Sequence, residues 1–184
     1  MADKVYVFLA DGFEEIEGLT VVDVLRRGGV DLSTVSITQS RTIHGSHGID
    51  VEADELFSEA DLEAGTLYVL PGGMPGTLHL GEKKELCELL VRSKGEGKRI
   101  AAICAAPSVL GDLGLLDGER ATCHPGFEER LKGATVLTDE VVVSGQMTTS
   151  RGMGTAIAFA LSLLATLKGQ EAADKVAQAM VYRQ

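Results

Sequence analysis

The chain has no tryptophan, and aromatic residues make up only 4% of its 184 residues. Proteins that bind single-stranded nucleic acid stack bases on aromatic side chains, and this chain has few of them. Positive charge is also scarce, because 17 Lys and Arg residues face 27 Asp and Glu residues, giving a net charge of −10. Such an acidic chain is repelled by phosphate groups. We therefore expect neither nucleic acid nor a membrane surface among its partners.

Cysteine is sparse as well, with three residues and no Cys-x-x-Cys spacing. This argues against a disulfide framework and favours a reducing compartment, so we expect a cytoplasmic protein. The four histidines show no metal-ligand spacing, and the sequence predicts no metal site. No apolar run reaches membrane-spanning length, and the opening Met1-Ala2-Asp3-Lys4 lacks the character of a signal peptide.

The 22 glycines and the 45% of hydrophobic residues are typical of a globular α/β domain, and we assign residues 1–184 to a single one. Apolar runs of strand length alternate with amphipathic stretches, which predicts a mostly parallel sheet between helical layers. The predicted strands cover residues 5–9, 32–38, 67–70, 99–103, 121–123, 135–137, 141–144 and 147–150, with a hairpin over 41–51. The predicted helices cover residues 14–27, 82–94, 152–168 and 170–181, another begins after residue 104, and a helical turn is predicted over 127–131.

The most informative stretch is Ile103-Cys104-Ala105-Ala106-Pro107. Pro107 fits a helix only in its first turn, so a helix should begin at about Ala105 or Ala106. Cys104 then stands at a sharp strand-to-helix corner, the geometry of a nucleophile elbow. Helical amides that point at the sulfur should lower the pKa of the thiol. The alternative is a buried structural thiol, but the corner position and the small neighbours favour a reactive Cys104.

Acidic residues are concentrated near the same edge of the predicted sheet. Sites in open α/β sheets form at the carboxyl ends of the strands. Three predicted loops lie there, over residues 11–17, 71–76 and 103–107. Glu14, Glu15 and Glu17 occupy a first helical turn, where the helix dipole is a sufficient explanation for two of them. Glu17 is one turn deeper than Glu14 and is the candidate to point over the sheet toward Cys104.

Backbone donors and a histidine complete the predicted site. Gly72-Gly73 offers amides that no side chain shields, and with the Ala105 amide they suit an oxyanion hole. A strand-ending turn is the other explanation for the glycine pair. His124 follows a predicted strand, and a Cys–His pair is a common basis for thiol chemistry. Cys87 and Cys123 are interpreted as structural.

Five motifs occur in order along the chain: Gly12-Phe13-Glu14-Glu15-Ile16-Glu17, Val22-Asp23-Val24-Leu25-Arg26-Arg27-Gly28, Val69-Leu70-Pro71-Gly72-Gly73, Ala101-Ala102-Ile103-Cys104-Ala105-Ala106-Pro107 and Thr149-Ser150-Arg151-Gly152-Met153-Gly154-Thr155. In this order they resemble the ThiJ/PfpI superfamily, in the branch of the Parkinson-disease protein deglycase and its bacterial homologues. The resemblance covers essentially the whole chain.

This resemblance implies a flavodoxin-like three-layer α/β/α sandwich and a two-fold homodimer without a cofactor. It implies that Cys104 is an oxidation-sensitive nucleophile, that Glu17 hydrogen-bonds it and that His124 lies nearby. The resemblance implies Gly73 and Ala105 as the amide donors, to which the glycine pair adds Gly72. We expect Glu14, Arg27 and Arg151 as supporting side chains.

Activities found in this family are glutathione-independent glyoxalase, protein deglycase and redox-regulated chaperone. Ala105 stands where the protease-like branch carries a histidine, so protease activity is not expected. No His-x-Glu follows in the C-terminal third, which argues against a glutamine amidotransferase. His47 stands where relatives often carry an arginine.

Two functional hypotheses follow. An ionised carboxylate opposes a thiolate beside it, so Glu17 should be protonated when Cys104 is ionised, and the two should titrate as a unit. The first hypothesis is an enzyme of oxidative and carbonyl stress that converts a small α-oxoaldehyde such as methylglyoxal to lactate, or acts on glycated protein side chains. The second is a redox sensor or chaperone in which Cys104 oxidises to a sulfinate held by Glu17.

Overall fold

The computed structural model describes residues 3–182, so both ends of the predicted 1–184 domain, including Met1 and Ala2 of the opening segment, lie outside the described residues. The strands are β1 (Lys4–Leu9), β2 (Asp31–Ser36), β3 (Thr42–His44), β4 (Asp50–Glu52), β5 (Glu55–Leu56), β6 (Leu67–Leu70), β7 (Arg99–Ile103), β8 (Arg120–Ala121), β9 (Thr135–Val136), β10 (Val141–Ser144) and β11 (Met147–Ser150). The helices are α1 (Glu15–Arg27), α2 (Gly76–Glu82), α3 (Lys84–Gly95), α4 (Pro107–Asp112), α5 (Ala156–Lys168) and α6 (Gln170–Ala179), with 3-10 turns at Leu62–Ala64, Glu128–Arg130 and Met153–Thr155.

The central sheet has the strand order β10-β11-β7-β6-β1-β2-β5. Its neighbouring strands pair in parallel except for β10 and β11, which are antiparallel. In the middle of the sheet Val7 lies beside Val69, and Val69 lies beside Ala101. The predicted α/β fold, a flavodoxin-like three-layer α/β/α sandwich with a mostly parallel sheet, is confirmed.

Each face of the sheet has its own hydrophobic core, because successive side chains of a strand point to opposite faces. Val7 belongs to the core that includes Leu25 of α1 and Phe159 of α5. Phe8, the next residue, belongs to the core that includes Leu90 of α3. Full burial of such a side chain is worth about 1.5–3 kcal/mol. Packing on both faces holds the sheet in position, and the loops at its carboxyl edge are attached to it.

Two helices differ from the sequence prediction. Residues 76–82 form α2, whereas the predicted helix in this part of the chain begins only at residue 82. A Cβ at Gly76 would lie only 2.6 Å from the Phe13 backbone nitrogen, so close packing holds a helix that local propensity does not favour. The helix predicted from residue 152 begins later, at Ala156, after a 3-10 turn.

The ends of β1, β6, β7 and β11 place four functional segments at one edge of the sheet. The segment after β1 leads into α1, and the segment after β6 holds Gly72-Gly73. Cys104 follows β7, and Arg151 follows β11, which pairs with β7 in parallel. This is the edge at which parallel sheets form their sites. Between residues 3 and 182, no helix combines the length and the apolar content that crossing a membrane requires.

Candidate active site

Cys104 occupies the corner between β7 and α4 with a strained backbone. Its φ of 65° lies in the left-handed region, which non-glycine residues rarely adopt. Hydrogen bonds hold it there: its amide donates to the Ser150 carbonyl at 3.0 Å, and its carbonyl accepts from the His124 amide at 2.8 Å. The side chain is half-buried. This is the elbow geometry that the sequence predicts.

Two backbone amides donate to the Cys104 sulfur, those of Gly73 and Ala105. Gly73 has a φ of +93°, and a Cβ there would lie 2.3 Å from the Glu14 backbone nitrogen. Only glycine fits this position, because a side chain would collide with the loop after β1. The structure therefore brings together the two donors that best suit an oxyanion hole at the sulfur.

Glu17 lies in the first turn of α1 and is 1% exposed. Its carboxyl group hydrogen-bonds the Cys104 thiol, and its Oε2 accepts the Gly72 amide at 2.9 Å. A Cβ on Gly72 would lie 2.6 Å from the Cys104 Cβ and 2.7 Å from Glu17 Oε2, so the glycine permits this close approach. Here the structure differs from the sequence prediction: the Gly72 amide holds the Glu17 carboxyl and does not serve as an oxyanion donor.

The Glu17–Cys104 pair holds two protons below about pH 7 and one proton above it. Burial raises the pKa of Glu17 to about 7, although hydrogen bonds from Cys104 and Gly72 act in the opposite direction. Burial, together with the charge and the hydrogen bond of Glu17, raises the pKa of Cys104 to about 12, against the effect of the Ala105 and Gly73 amides. The pair carries one negative charge when Glu17 is ionised, and burial together with repulsion from that charge opposes the ionisation of Cys104.

The expectation of an acidic Cys104 thiol is wrong in direction. The amides at the elbow do lower its pKa, but burial and Glu17 outweigh them. Burial likewise raises the pKa of Cys123 to about 11 and raises that of Cys87. Cys104 therefore needs a base that takes its proton as the sulfur reacts, and the carboxylate of Glu17 is in contact with it.

His124 follows β8 at the mouth of the site, where its side chain is exposed. Its Nδ1 lies 2.9 Å from the Pro125 carbonyl oxygen, which can only accept a hydrogen bond. Nδ1 therefore carries the proton, and Nε2 of the neutral ring is left as a proton acceptor.

A cavity of about 290 Å³ joins these groups. It is lined by Glu14, Glu17, Gly73, Cys104, His124, Arg151 and the segment 152–155. The sequence pattern predicts a helix over that last segment and gives no indication of a cavity wall, although two glycines after a predicted strand are a possible signal of one. Arg151 lines the cavity, and its supporting role stays a prediction.

Arg27 does not belong to this cavity. It lies ten residues after Glu17, about 15 Å along the helix, and its Nε is paired with Asp23 Oδ2 at 2.6 Å on the exposed surface. The predicted supporting role of Arg27 is not realised within this chain.

A second cluster of polar side chains adjoins the cavity. Glu14, Glu15 and His47 bring metal-ligand atoms within 4.8 Å of one another, an arrangement that residue spacing could not reveal. His47 lies in the turn of the predicted hairpin, and its Nδ1 is 3.0 Å from Glu15 Oε2. Burial opposes ionisation of Glu15, but hydrogen bonds from backbone amides and His47 hold its pKa at about 2. The cluster ties the hairpin to α1.

These features define an α/β protein built around a cysteine at a strand-to-helix elbow, in contact with a buried carboxyl group. The model of the DJ-1/PfpI family matches residues 3–166, and the chain belongs to this family. The predicted membership of the ThiJ/PfpI superfamily is confirmed.

The chain is similar to several named proteins and solved structures of this family. DJ-1 homolog B of Arabidopsis thaliana is 38% identical over 182 residues, which are 98% of this chain and 42% of that protein. The chain spans less than half the length of this relative and of DJ-1 homolog A from the same plant. Glutathione-independent glyoxalase DJR-1.2 of Caenorhabditis elegans is 35% identical over 160 residues, 86% of this chain and 84% of that protein. The structure of oxidized Toxoplasma gondii DJ-1 has a TM-score of 0.95 and 38% identity, with 100% of both chains covered.

Proposed function

We propose that the protein is a cofactor-independent glyoxalase that converts a small α-oxoaldehyde, such as methylglyoxal, to a 2-hydroxy acid, and that it accepts early adducts of such aldehydes on protein side chains. The observation that carries this proposal is the contact between the Cys104 thiol and the buried Glu17 carboxyl, with two amides aimed at the sulfur. The name of the related Caenorhabditis elegans glyoxalase supports the same reaction class.

In the first step the Cys104 sulfur adds to the aldehyde carbon. As the S–C bond forms, the thiol proton passes to the Glu17 carboxylate, which is available because its pKa is about 7. The aldehyde oxygen becomes an alkoxide, which the amides of Gly73 and Ala105 stabilise. Glu17 then returns the proton to this oxygen, so the product is a neutral hemithioacetal beside a carboxylate.

In the second step a hydrogen moves between adjacent carbons. The Glu17 carboxylate removes the proton from the former aldehyde carbon and delivers it to the neighbouring carbon. His124 Nε2 takes the proton of the first hydroxyl and gives it to the second oxygen. The first carbon is oxidised and the second is reduced, so no external oxidant or reductant is needed. Water then cleaves the resulting thioester, which releases the hydroxy acid and restores the thiol.

Lactate production in glutathione-free buffer treated with a chelator tests this proposal. Lactate is the required readout because methylglyoxal also disappears by forming adducts with Arg, Lys and Cys. Glu17→Gln should form the Cys104 adduct at equilibrium, seen by mass spectrometry, but lose turnover, whereas Cys104→Ser should lose both. If the parent protein makes no lactate above the Cys104→Ser background, the enzyme proposal fails.

A redox sensor or redox-regulated chaperone is the second candidate. The protonated fraction of Glu17 near neutral pH is a hydrogen-bond donor suited to a sulfinate on Cys104, and the Gly73 and Ala105 amides favour negative charge there. Peroxide-dependent suppression of the aggregation of a client protein, without lactate production, would favour this candidate over the enzyme.

A further inference from the structure

Three glycines of the site lack a side chain for different reasons. Gly73 has a positive φ, and a Cβ on Gly72 would lie 2.7 Å from Glu17 Oε2. Gly152 has neither constraint, because its φ of 164° is extended backbone that any residue adopts. A Cβ there would lie 3.5 Å from His124 Cδ2 and 3.9 Å from Glu17 Oε1, which are ordinary contact distances. The absence of a side chain at this position therefore leaves open space and relieves no strain.

We propose that Gly152 is a specificity-determining residue, and that the space it leaves between Glu17 and His124 receives the substituent on the carbon next to the reacting carbon. This inference rests on the proposed function for the identity of the substrate, an α-oxoaldehyde. The space itself is a property of the cavity around Cys104 and can be tested without turnover.

The arrangement around the sulfur determines the side on which the substituent lies. The Gly73 and Ala105 amides meet at the Cys104 sulfur, so the aldehyde oxygen is directed toward them. The substituent on the carbonyl side of the substrate points away from this oxygen. The segment with Gly152 forms the facing wall of the cavity. A substituent therefore extends toward Gly152, beside the two groups that move its protons.

Hydrogen bonds fix the turn that contains Gly152, and the contact of Thr155 Oγ1 with Ser150 Oγ at 2.7 Å ties this turn to β11, so we expect an added methyl group to stay in the cavity. The amide of Gly152 donates to Thr155 Oγ1 at 3.2 Å, and its carbonyl accepts from the Thr155 amide and hydroxyl, both at 2.9 Å. A methyl group on residue 152 would occupy the space that a substrate methyl group needs. Sites of this kind discriminate one methyl group by about tenfold or more.

The test compares Gly152→Ala with Gly95→Ala. Gly95 ends α3 and does not line the cavity, and a Cβ there would meet no atom within 4 Å. The first measurement is the kcat/KM ratio for glyoxal over methylglyoxal, which differ by one methyl group. We expect this ratio to rise about tenfold in Gly152→Ala and to stay at the parent value in Gly95→Ala.

The second measurement is the rate at which bromoacetamide and 2-bromopropionamide alkylate Cys104, followed by mass spectrometry. These reagents also differ by one methyl group, and they require no turnover. We expect the ratio of the bromoacetamide rate to the 2-bromopropionamide rate to rise in Gly152→Ala and to stay at the parent value in the control variant. If the parent makes no hydroxy acid, the proposed function fails but this arm still decides the role of Gly152. An unchanged alkylation ratio in a folded Gly152→Ala protein, or an equal change in Gly95→Ala, overturns the inference.

Discussion

Replacing Glu17 with glutamine should change how the stability of the fold depends on pH. Burial raises the pKa of Glu17 in the folded protein from 4.5 to about 7, so in this interval the folded protein holds a proton that the unfolded chain releases. One pKa unit corresponds to about 1.4 kcal/mol, and the whole shift to about 3 kcal/mol of unfolding free energy. This stability is fully present below pH 4.5 and is lost as the pH rises through about 7. Glutamine does not ionise, so the variant does not lose unfolding free energy at this position as the pH rises.

Urea unfolding of the two proteins at a series of pH values measures this effect. We expect the unfolding free energy of Glu17→Gln, relative to the parent, to rise by about 3 kcal/mol between pH 4.5 and about pH 8. Glu15→Gln provides a contrast of opposite sign. The hydrogen bonds that hold the pKa of Glu15 at about 2 stabilise the fold above pH 4.5, and that stability is lost as the pH falls through 2. Glu15→Gln should therefore be destabilised at neutral pH. Parallel curves for the parent and Glu17→Gln would refute the reasoning.

Three further predictions concern the thiol and the assembly. The rate of Cys104 alkylation should rise with a midpoint near pH 7, because ionised Glu17 takes the thiol proton, and Glu17→Gln should lack this step; a midpoint unchanged in the variant would contradict it. Mild peroxide should oxidise Cys104 to a sulfinate and stop there, and Glu17→Asp and Glu17→Leu should alter how far oxidation goes by mass spectrometry, whereas identical profiles would remove Glu17 from this role. We also propose a homodimer. It is supported by two apolar side chains beside the Glu15–His47 contact, Ile16 and Ile49, which are 52% and 53% exposed. Sedimentation at 19.4 kDa, the mass of one chain, at micromolar concentration would refute it.

Sequence patterns were sufficient for the elements whose local signals agree with their packing. The buried run over Leu67–Leu70 and the run before Cys104 became parallel strands because continuous apolar residues suit a sheet covered on both faces. The helix α2 was missed because its glycines indicate a turn, and the contact of Gly76 with the loop after β1 has no local signature. Helix propensity is a weak prior that tertiary packing overrides.

The candidate site was only partly predictable for a similar reason. Residue order placed Glu17, Cys104 and Gly73 at one edge of the sheet, because the ends of parallel strands coincide. The pKa of Cys104 depends on burial and on an adjacent carboxyl group, both of which are long-range features. The helix N-terminus is a local feature, and reasoning from it alone gave the wrong direction. The motif that contains Arg27 gives its position in the chain but not its distance from Cys104. The structure places Arg27 on the surface, where it pairs with Asp23.

The consecutive amides of Gly72 and Gly73 have a mechanical consequence. The first donates to Glu17 and the second to the Cys104 sulfur, so two adjacent peptide groups bind both members of the Glu17–Cys104 pair. A displacement of this segment changes both hydrogen bonds at once, and with them the relative stability of the carboxylate and the thiolate. The position of the loop after β6 and the position of the proton within the pair are therefore coupled.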